Sequence, residues 1–361
     1  MAQDAYNACL GLKEIGVDVE LIINKSDFGM GLPFWEKSDL NMDPYNVNFD
    51  KALEEFPLPE WIHVWDNKNV PRFIAWSRLF KLIHGYDLLH LHGRSVLYLQ
   101  FSGLPYIVHE AGLIRYITTQ ENVGMRLAKR SYKKSNAVIW TNPDTKFMVE
   151  KIVPLKLMRF IPFSIDHAYY KPSEKQDNND KLLFFSPARQ VWEEKGNDKL
   201  ISAFAHFIKE GNDAKLILVD WGYKEDVQAS KELTYRYDVA EHIEWILPMS
   251  KPKLIKMYSH VDAVFDQFML GSTGTAGLEA MSCGAPLCIY LNDLHTQMYG
   301  ENAPVENAYT ISQIFESMKR LKDDVYRKQL GLSGRNYVIK HCDPKKIAYK
   351  MKNVYEEVLN D

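Results

Sequence analysis

The sequence predicts an α/β protein made of two doubly wound domains, each built on a parallel sheet. Short apolar strands alternate with helical stretches through both halves of the chain, which is typical of parallel α/β sheets. The length of 361 residues suits two domains. A polar segment at 171–180, with an early Pro-Ser and no periodic apolar residue, is the best candidate linker between them.

The first half of the chain opens in an unusual order for this class. Apolar positions at helical spacing predict a helix over 2–15, Gly16 ends it, and 17–23 reads as a strand. A doubly wound domain normally opens with a strand and a glycine-containing turn. We therefore expect the first strand of this sheet to be absent from the sequence and to be supplied upstream of Met1. Further strands are predicted at 88–92, 106–109 and 137–141.

The second half repeats the strand–helix alternation without interruption. An amphipathic helix over 348–359 follows it and is expected to cross back onto the first domain. The predicted domains are therefore 1–165 with 345–361, and 166–344. The strands predicted in the second domain are 182–185, 215–219, 243–247, 263–266 and 286–290.

Composition excludes several classes of function. The net charge of −3 provides no overall field for binding nucleic acid, which we do not expect as a partner. No apolar run is long enough to span a bilayer and no signal peptide opens the chain. The four cysteines lack metal-ligand spacing, so a reducing, cytoplasmic setting is predicted. They are Cys9, Cys283, Cys288 and Cys342.

One predicted helix, over 123–134, carries a concentration of positive charge. Its simplest interpretation is a solvated helix face. The alternative is a surface for anionic lipid or an anionic acceptor, which would place the protein on the inner face of the cell membrane. The basic residues are Arg126, Lys129, Arg130, Lys133 and Lys134.

The sharpest motif lies in 268–286, where a strand leads into a glycine-rich turn and then a helix. Glycines let the backbone approach a ligand closely, and the free N–H groups at a helix start attract an anion. Glu279, about one turn into the helix, is suited to bind a ribose diol. The alternative is a turn that only packs the helix against the strand.

This region resembles the donor-site signature of retaining GT-B glycosyltransferases, particularly glycosyltransferase family 4 (group 1). The resemblance rests on Leu278-Glu279-Ala280-Met281 followed by Cys283-Gly284-Ala285-Pro286. It implies two Rossmann-like domains facing across a cleft, with Glu279 on the nucleotide ribose. It also implies that backbone groups of Gly274, Thr275 and Leu278 contribute to the donor site.

Two cations after the first strand of the second domain also resemble the family. Arg189 and Lys195, in the segment SPARQVWEEKG at 186–196, correspond to its diphosphate-binding pair. They would neutralise the departing nucleoside diphosphate, because a leaving group that gains negative charge needs fixed cations. The resemblance implies that no metal and no other cofactor is required.

In the first domain, the segments DLLHLH at 87–92 and IVHEAG at 107–112 resemble family motifs. His109 is the candidate sugar contact, through its backbone or its ring, and is grouped with Arg189 and Lys195 as catalytic. Glu110 and Arg115 are candidates for the acceptor side. His90, which alternates with His92 along a strand, reads as a satisfied core histidine.

The chain departs from the family where a first glutamate usually contacts the donor sugar, since Gly271 stands there. Asp266 is the candidate to take part of that role. Leu247, at the end of the strand predicted at 243–247, is a candidate to flank the nucleobase. Asp220 follows another predicted strand and begins a turn that could line the edge of the nucleotide pocket.

These interpretations predict a retaining, metal-independent glycosyltransferase. The donor would be a nucleoside diphosphate sugar and the acceptor a sugar or lipid-linked hydroxyl, as in polysaccharide or glycolipid synthesis. Two alternatives remain open. One is a truncated or non-catalytic nucleotide-binding subunit, supported by Gly271 and the missing strand. The other is a sugar-nucleotide epimerase, which would need an acid and a base in the cleft.

Overall fold

The computed structural model describes residues 2–25, 32–37, 48–66, 71–120, 122–173 and 181–360. Most of the predicted linker, 174–180, lies outside the described residues. The chain forms two compact units: Met1–Ser164 with Cys342–Asp361, and Ile165–His341. These limits lie within a few residues of those predicted from the sequence. We call them unit 1 and unit 2.

Unit 1 alternates short strands with helices. Its strands are β1 Leu21–Asn24, β2 Ile62–Trp65, β3 Leu89–His92, β4 Tyr106–Glu110, β5 Ala137–Trp140 and β6 Met158–Phe160. Its helices are α1 Ala2–Glu14, α2 Phe34–Lys37, α3 Phe49–Glu55, α4 Arg72–Ile83, α5 Leu113–Thr119, α6 Val123–Lys134, α7 Lys146–Glu150 and, from the end of the chain, α16 Pro344–Asn360.

The strands of unit 1 form two parallel sheets rather than one. β1 pairs with β2, and a separate sheet has the order β3-β4-β5-β6. In the doubly wound order 3-2-1-4-5-6, the opening strand lies between the second and fourth strands. Here these are β1 and β3, and no described residue forms a strand between them. The break therefore falls where the doubly wound order places its opening strand.

The core of unit 1 is closed by helices from both ends of its sequence. Ala8 and Leu12 of α1 pack with Ile347, Met351 and Val354 of α16. Residues of β4 and β5 complete the cluster, so α1 and α16 together cover one face of the larger sheet. The strand predicted at 17–23 is shorter and later, because it pairs with β2 only from Leu21 onward.

Unit 2 is built on a single six-stranded parallel sheet. Its strands are β7 Leu182–Ser186, β8 Ala214–Val219, β9 Ile243–Ile246, β10 Ala263–Phe265, β11 Leu287–Ile289 and β12 Glu306–Asn307. Its helices are α8 Trp192–Lys195, α9 Asn197–Lys209, α10 Lys224–Arg236, α11 Lys251–His260, α12 Thr275–Ser282, α13 Asp293–Tyr299, α14 Ile311–Arg320 and α15 Asp324–His341.

The strand order of unit 2 locates its ligand site. The order is β12-β11-β10-β7-β8-β9, so the chain runs outward from β7 in one direction and then, from β10, in the other. In such sheets ligands bind outside the carboxyl ends of the strands where the order reverses. That place is the carboxyl edge of β7 and β10, which we call the switch edge.

Candidate donor site of unit 2

The loop after β7 brings Arg189 to the switch edge. Its guanidinium donates to Glu194 at 2.5 Å and lies 5.9 Å from the ring centre of Tyr223. The side chain of Arg189 remains about one-third exposed. The carboxylate and the aromatic face together hold the guanidinium in one orientation at this edge.

Gln190, the residue after Arg189, fixes this loop from inside. Its side chain is buried, donates to the carbonyl of Val219 at 3.2 Å and accepts from Ser230 at 3.0 Å. Its backbone pairs with Gly222, where an added Cβ would lie 2.1 Å from the carbonyl oxygen of Gln190. The predicted turn at Asp220 therefore leads to Gly222, and the loop that contains Arg189 packs directly against this glycine.

Lys195 ends α8 and links the two loops of the switch edge. Its carbonyl accepts from the backbone N–H of Phe268 at 2.9 Å, which ties it to the segment after β10. Asp266 in that segment is buried, which raises its pKa, while the positive charge of Lys195 opposes the rise. Lys195 and Asp266 are thus neighbours, as a shared site requires.

A buried glutamine, Gln267, shapes the glycine-rich turn. Its side-chain oxygen accepts from the N–H groups of Met269 and Leu270, and its amide donates to the carbonyls of Ser272 and Tyr290. Four hydrogen bonds on one side chain leave the turn little freedom. Gly271 adopts φ +81°, and an added Cβ would lie 2.7 Å from Asn292. The position therefore favours glycine for backbone reasons.

The first turn of α12 presents backbone N–H groups. Gly274 caps the helix in an extended conformation, and no atom would lie within 4 Å of a Cβ added to it. Thr275 follows and is half-buried, whereas Leu278 is fully buried. Open space over a helix start with unpaired N–H groups suits a phosphate.

The turn before α12 is supported by a buried histidine. Thr273 lies 3.2 Å from His295 through its hydroxyl oxygen, and both residues are buried. Burial, together with the charge of His341, lowers the pKa of His295 to about 4. His295 therefore remains neutral near pH 7 and completes the turn by hydrogen bonding.

Glu279 is not free at the surface. Lys251, the first residue of α11, donates to both of its carboxylate oxygens at 2.6 and 2.7 Å. The side chains of Lys251 and Glu279 are only 8% and 3% exposed. The predicted ribose carboxylate is therefore one half of a buried ion pair, and a ribose hydroxyl would have to approach a carboxylate that Lys251 already holds.

Two further donor-side predictions fall near this edge. Leu247 follows β9 directly and its side chain is 72% exposed. Asp220 follows β8 and accepts from Lys231 at 2.7 Å. β8 and β9 lie next to β7 in the parallel sheet. Leu247, at the carboxyl end of β9, therefore lies at the same edge of the sheet as Arg189, which follows β7.

The residues predicted in unit 1 lie on and after β4. His109 is buried, with its ring 2.8 Å from Asp4. Glu110 is fully buried, and Arg115 donates to Asp144 at 2.6 Å. Their predicted roles toward sugar and acceptor stay predictions. His90, predicted to be a satisfied core histidine, is partly buried, lies 2.7 Å from the hydroxyl of Tyr355 and belongs to a cluster described below.

Two parallel α/β units, the second with cations and a glycine-rich helix start at its switch edge, define the GT-B class of glycosyltransferases. Residues 170–337 match the family model for "Glycosyl transferases group 1". This match lies within unit 2 and includes the candidate donor site, so unit 2 contains a group 1 glycosyl transferase domain. No curated protein sequence matches the chain.

Solved structures agree with this fold along nearly the whole chain. Sucrose-phosphate synthase from Thermosynechococcus elongatus matches 97% of this chain and 91% of its own, with a TM-score of 0.68 and 15% identity. Anabaena HepE in complex with UDP and glucose matches 86% and 90%, with a TM-score of 0.70 and 14% identity. A glycosyltransferase from Rickettsia africae matches 100% and 95%, with a TM-score of 0.67 and 13% identity. At these identities the likeness concerns the fold.

Proposed function

We propose that the chain transfers a sugar, with retention of configuration and without a metal, from a nucleoside diphosphate sugar to a sugar or lipid-linked hydroxyl. The observation that carries the proposal is the meeting of Arg189, Lys195 and the first turn of α12 at the switch edge of unit 2. All three suit a diphosphate, and HepE, of the same fold, was crystallised with UDP.

In the proposed reaction the acceptor oxygen bonds to the anomeric carbon as the bond from that carbon to the phosphate oxygen breaks. The proton of the acceptor hydroxyl passes to the departing phosphate on the same face. Arg189, Lys195 and the N–H groups at Gly274 and Thr275 stabilise the charge that develops there. Glu279 orients the ribose, and Leu247 covers the base.

Calorimetric titration with UDP and GDP tests the donor site directly. We expect one nucleotide to bind and Arg189→Ala to weaken it about ten- to a hundredfold, because a charge-assisted hydrogen bond contributes about 1.5–3 kcal/mol. Arg236→Ala is the matched control, since Arg236 is exposed on α10 of the same unit. Folded protein that binds neither nucleotide would refute the donor site.

A nucleotide-binding subunit without transferase activity is the second candidate. It is favoured by Gly271, which stands in place of the usual first glutamate, and by the pairing of Glu279 with Lys251. Mass spectrometry of a mixture of nucleotide sugar and candidate acceptors separates the two. Nucleotide binding with no glycosylated product from any acceptor favours the subunit, whereas an anomer-retaining product establishes the transferase.

We also propose that α6 contacts anionic lipid. Its five basic side chains are all exposed, and Arg130 stacks on the exposed ring of Phe101 at 5.0 Å. None of the helices in the described part of the chain could cross a bilayer. Co-sedimentation with phosphatidylglycerol vesicles should exceed that with phosphatidylcholine, and Lys133→Glu with Lys134→Glu should abolish the excess. Equal binding to both lipids would contradict this surface.

A further inference from the structure

Three histidines of unit 1 converge on one face of its larger sheet. His90 and His92 belong to β3, His109 belongs to β4, and His92 is the register partner of His109. Residues two apart on a strand share a face, as do parallel partners, so all three rings lie on the same side. Their ring centres are 4.4–5.1 Å apart. One nitrogen from each lies within 4.8 Å of the others.

The outer nitrogens of two of these rings are held by oxygen atoms. His109 Nε2 lies 2.8 Å from a carboxylate oxygen of Asp4, and His90 Nδ1 lies 2.7 Å from the hydroxyl of Tyr355. A carboxylate accepts hydrogen bonds, so its position beside Nε2 of His109 favours the neutral tautomer with the proton on Nε2 and the lone pair on Nδ1.

The inner nitrogens of the same rings face each other at the spacing of metal ligands. His109 Nδ1 lies 3.2 Å from His90 Nε2. In a tetrahedral zinc site with Zn–N bonds of about 2.0–2.1 Å, two ligand nitrogens are about 3.3–3.4 Å apart. A ligating histidine whose other nitrogen donates to a carboxylate is the usual second-shell arrangement of zinc proteins. The carboxylate of Asp4, 2.8 Å from Nε2 of His109, lies where that arrangement places the acceptor.

The surroundings of the three rings also suit a metal of this kind, because His109 is buried and His90 and His92 are partly buried. Three imidazole nitrogens with one carboxylate nearby suit a borderline-soft divalent cation such as zinc, rather than magnesium or calcium. Such a cation binds imidazole in its neutral form.

We propose that His90 Nε2, His109 Nδ1 and a ring nitrogen of His92 bind one zinc ion in unit 1, with Asp4 and Tyr355 as outer partners. Three histidine ligands leave the fourth tetrahedral position to a small oxygen ligand. The ion is separate from the donor chemistry proposed for unit 2 and takes no part in it. Bound zinc would occupy the ring of His109 and leave only the backbone of that residue for a sugar.

The alternative is a hydrogen-bond chain without a metal, in which Tyr355 donates to His90, His90 to His109, and His109 to Asp4. The distances of 2.7, 3.2 and 2.8 Å permit it. His92 distinguishes the two arrangements, because the chain has no place for it whereas the metal site uses it as the third ligand. Its ring stacks on His109 at 4.4 Å.

Metal titration of the full chain, purified without a histidine tag and stripped with a chelator, tests the proposal. We expect calorimetry with zinc chloride and elemental analysis to give one zinc per chain. His92→Ala should weaken binding about tenfold or more. His84→Ala, at the exposed end of α4, should change nothing. No stoichiometric zinc in the wild type, or equal affinity in His92→Ala, would overturn the site.

Cobalt substitution gives a readout that does not depend on a variant folding. Cobalt(II) bound to the wild type should show the intense visible absorption of tetrahedral coordination, and added zinc should bleach it. A weak octahedral spectrum would overturn the tetrahedral site even if His92→Ala were unstable. A titration with UDP on the same sample reports on unit 2 separately, so the two proposals succeed or fail independently.

Discussion

Each unit contains a buried glutamate next to a helix start, and different kinds of group hydrogen-bond to the two side chains. In unit 1, Glu110 accepts from the hydroxyl of Tyr132 and from the N–H groups of Gly112 and Ile114. In unit 2, Lys251 donates to both carboxylate oxygens of Glu279. One carboxyl group is surrounded by neutral donors, and the other faces a full positive charge.

The comparison shows which of the two suits ligand binding. The donors around Glu110 fix the loop between β4 and α5, and burial raises the pKa of this carboxyl group above its ordinary value of 4.5. Lys251 approaches Glu279 through one flexible side chain, which a ligand hydroxyl could join or displace. Neutral donors from the backbone indicate a structural role for Glu110. A carboxylate paired with a side-chain cation, as Glu279 is with Lys251, can exchange partners with a ligand.

The largest expected effect comes from removing the cation. Lys251→Met should destabilise unit 2 by about 3–5 kcal/mol, because it removes the positive charge that pairs with the buried carboxylate of Glu279. Hydrogen exchange of the amides in β10 and β11, followed by mass spectrometry, measures this within one unit. Lys256→Met, an exposed position on the same helix, should change stability by less than about 0.5 kcal/mol.

The pair itself can be tested with a second substitution. Lys251→Met combined with Glu279→Leu should recover most of the lost stability, since an apolar pair needs no charge compensation. If the double variant is no more stable than Lys251→Met, the ion pair is not what makes that single substitution costly.

A smaller effect is expected in unit 1. Glu110→Gln keeps one accepting oxygen but turns an amide toward donors, so it should cost about 1–3 kcal/mol. Hydrogen exchange in β4 and β5 checks this, with Glu55→Gln on the exposed side of α3 as the control. A cost as large as that of Lys251→Met would remove the distinction drawn between neutral and charged partners.

The smallest effect is a pH dependence that distinguishes the two glutamates. Because the pKa of Glu110 is raised in the folded state, the folded protein holds this proton where the unfolded chain has lost it. The stabilisation is complete below about pH 4.5 and declines as the pH rises. The stability of the wild type relative to Glu110→Gln should therefore fall as the pH rises above about 4.5, as hydrogen exchange in β4 would record. A flat difference would contradict the raised pKa.

The sequence predicted the parts of the donor site that depend on local chemistry. The glycine-rich turn, the helix from Thr275 and the cations after β7 were all readable, because each depends on neighbouring residues. The GT-B class and the parallel sheets followed from strand–helix alternation and are confirmed by the comparisons.

What the sequence did not reveal depends on contacts between distant residues. Lys251 and Glu279 are 28 positions apart and meet only because α11 and α12 pack on the same sheet. Gln190 supports Arg189 through Gly222, which no local pattern indicates. The histidine cluster required the register of β3 with β4 and the arrival of Asp4 from α1. Such pairings are set by the fold as a whole rather than by spacing along the chain.

Unit 1 is discontinuous in sequence, and this bears on how the protein is made. Its core is complete only when α16 covers α1, and α16 follows the whole of unit 2 in the chain. Unit 2 is synthesised as one uninterrupted segment and can fold before that point. Early in synthesis the apolar face of α1 therefore stays uncovered until α16 has been made. The nascent first unit exposes an apolar surface of the kind that chaperones bind.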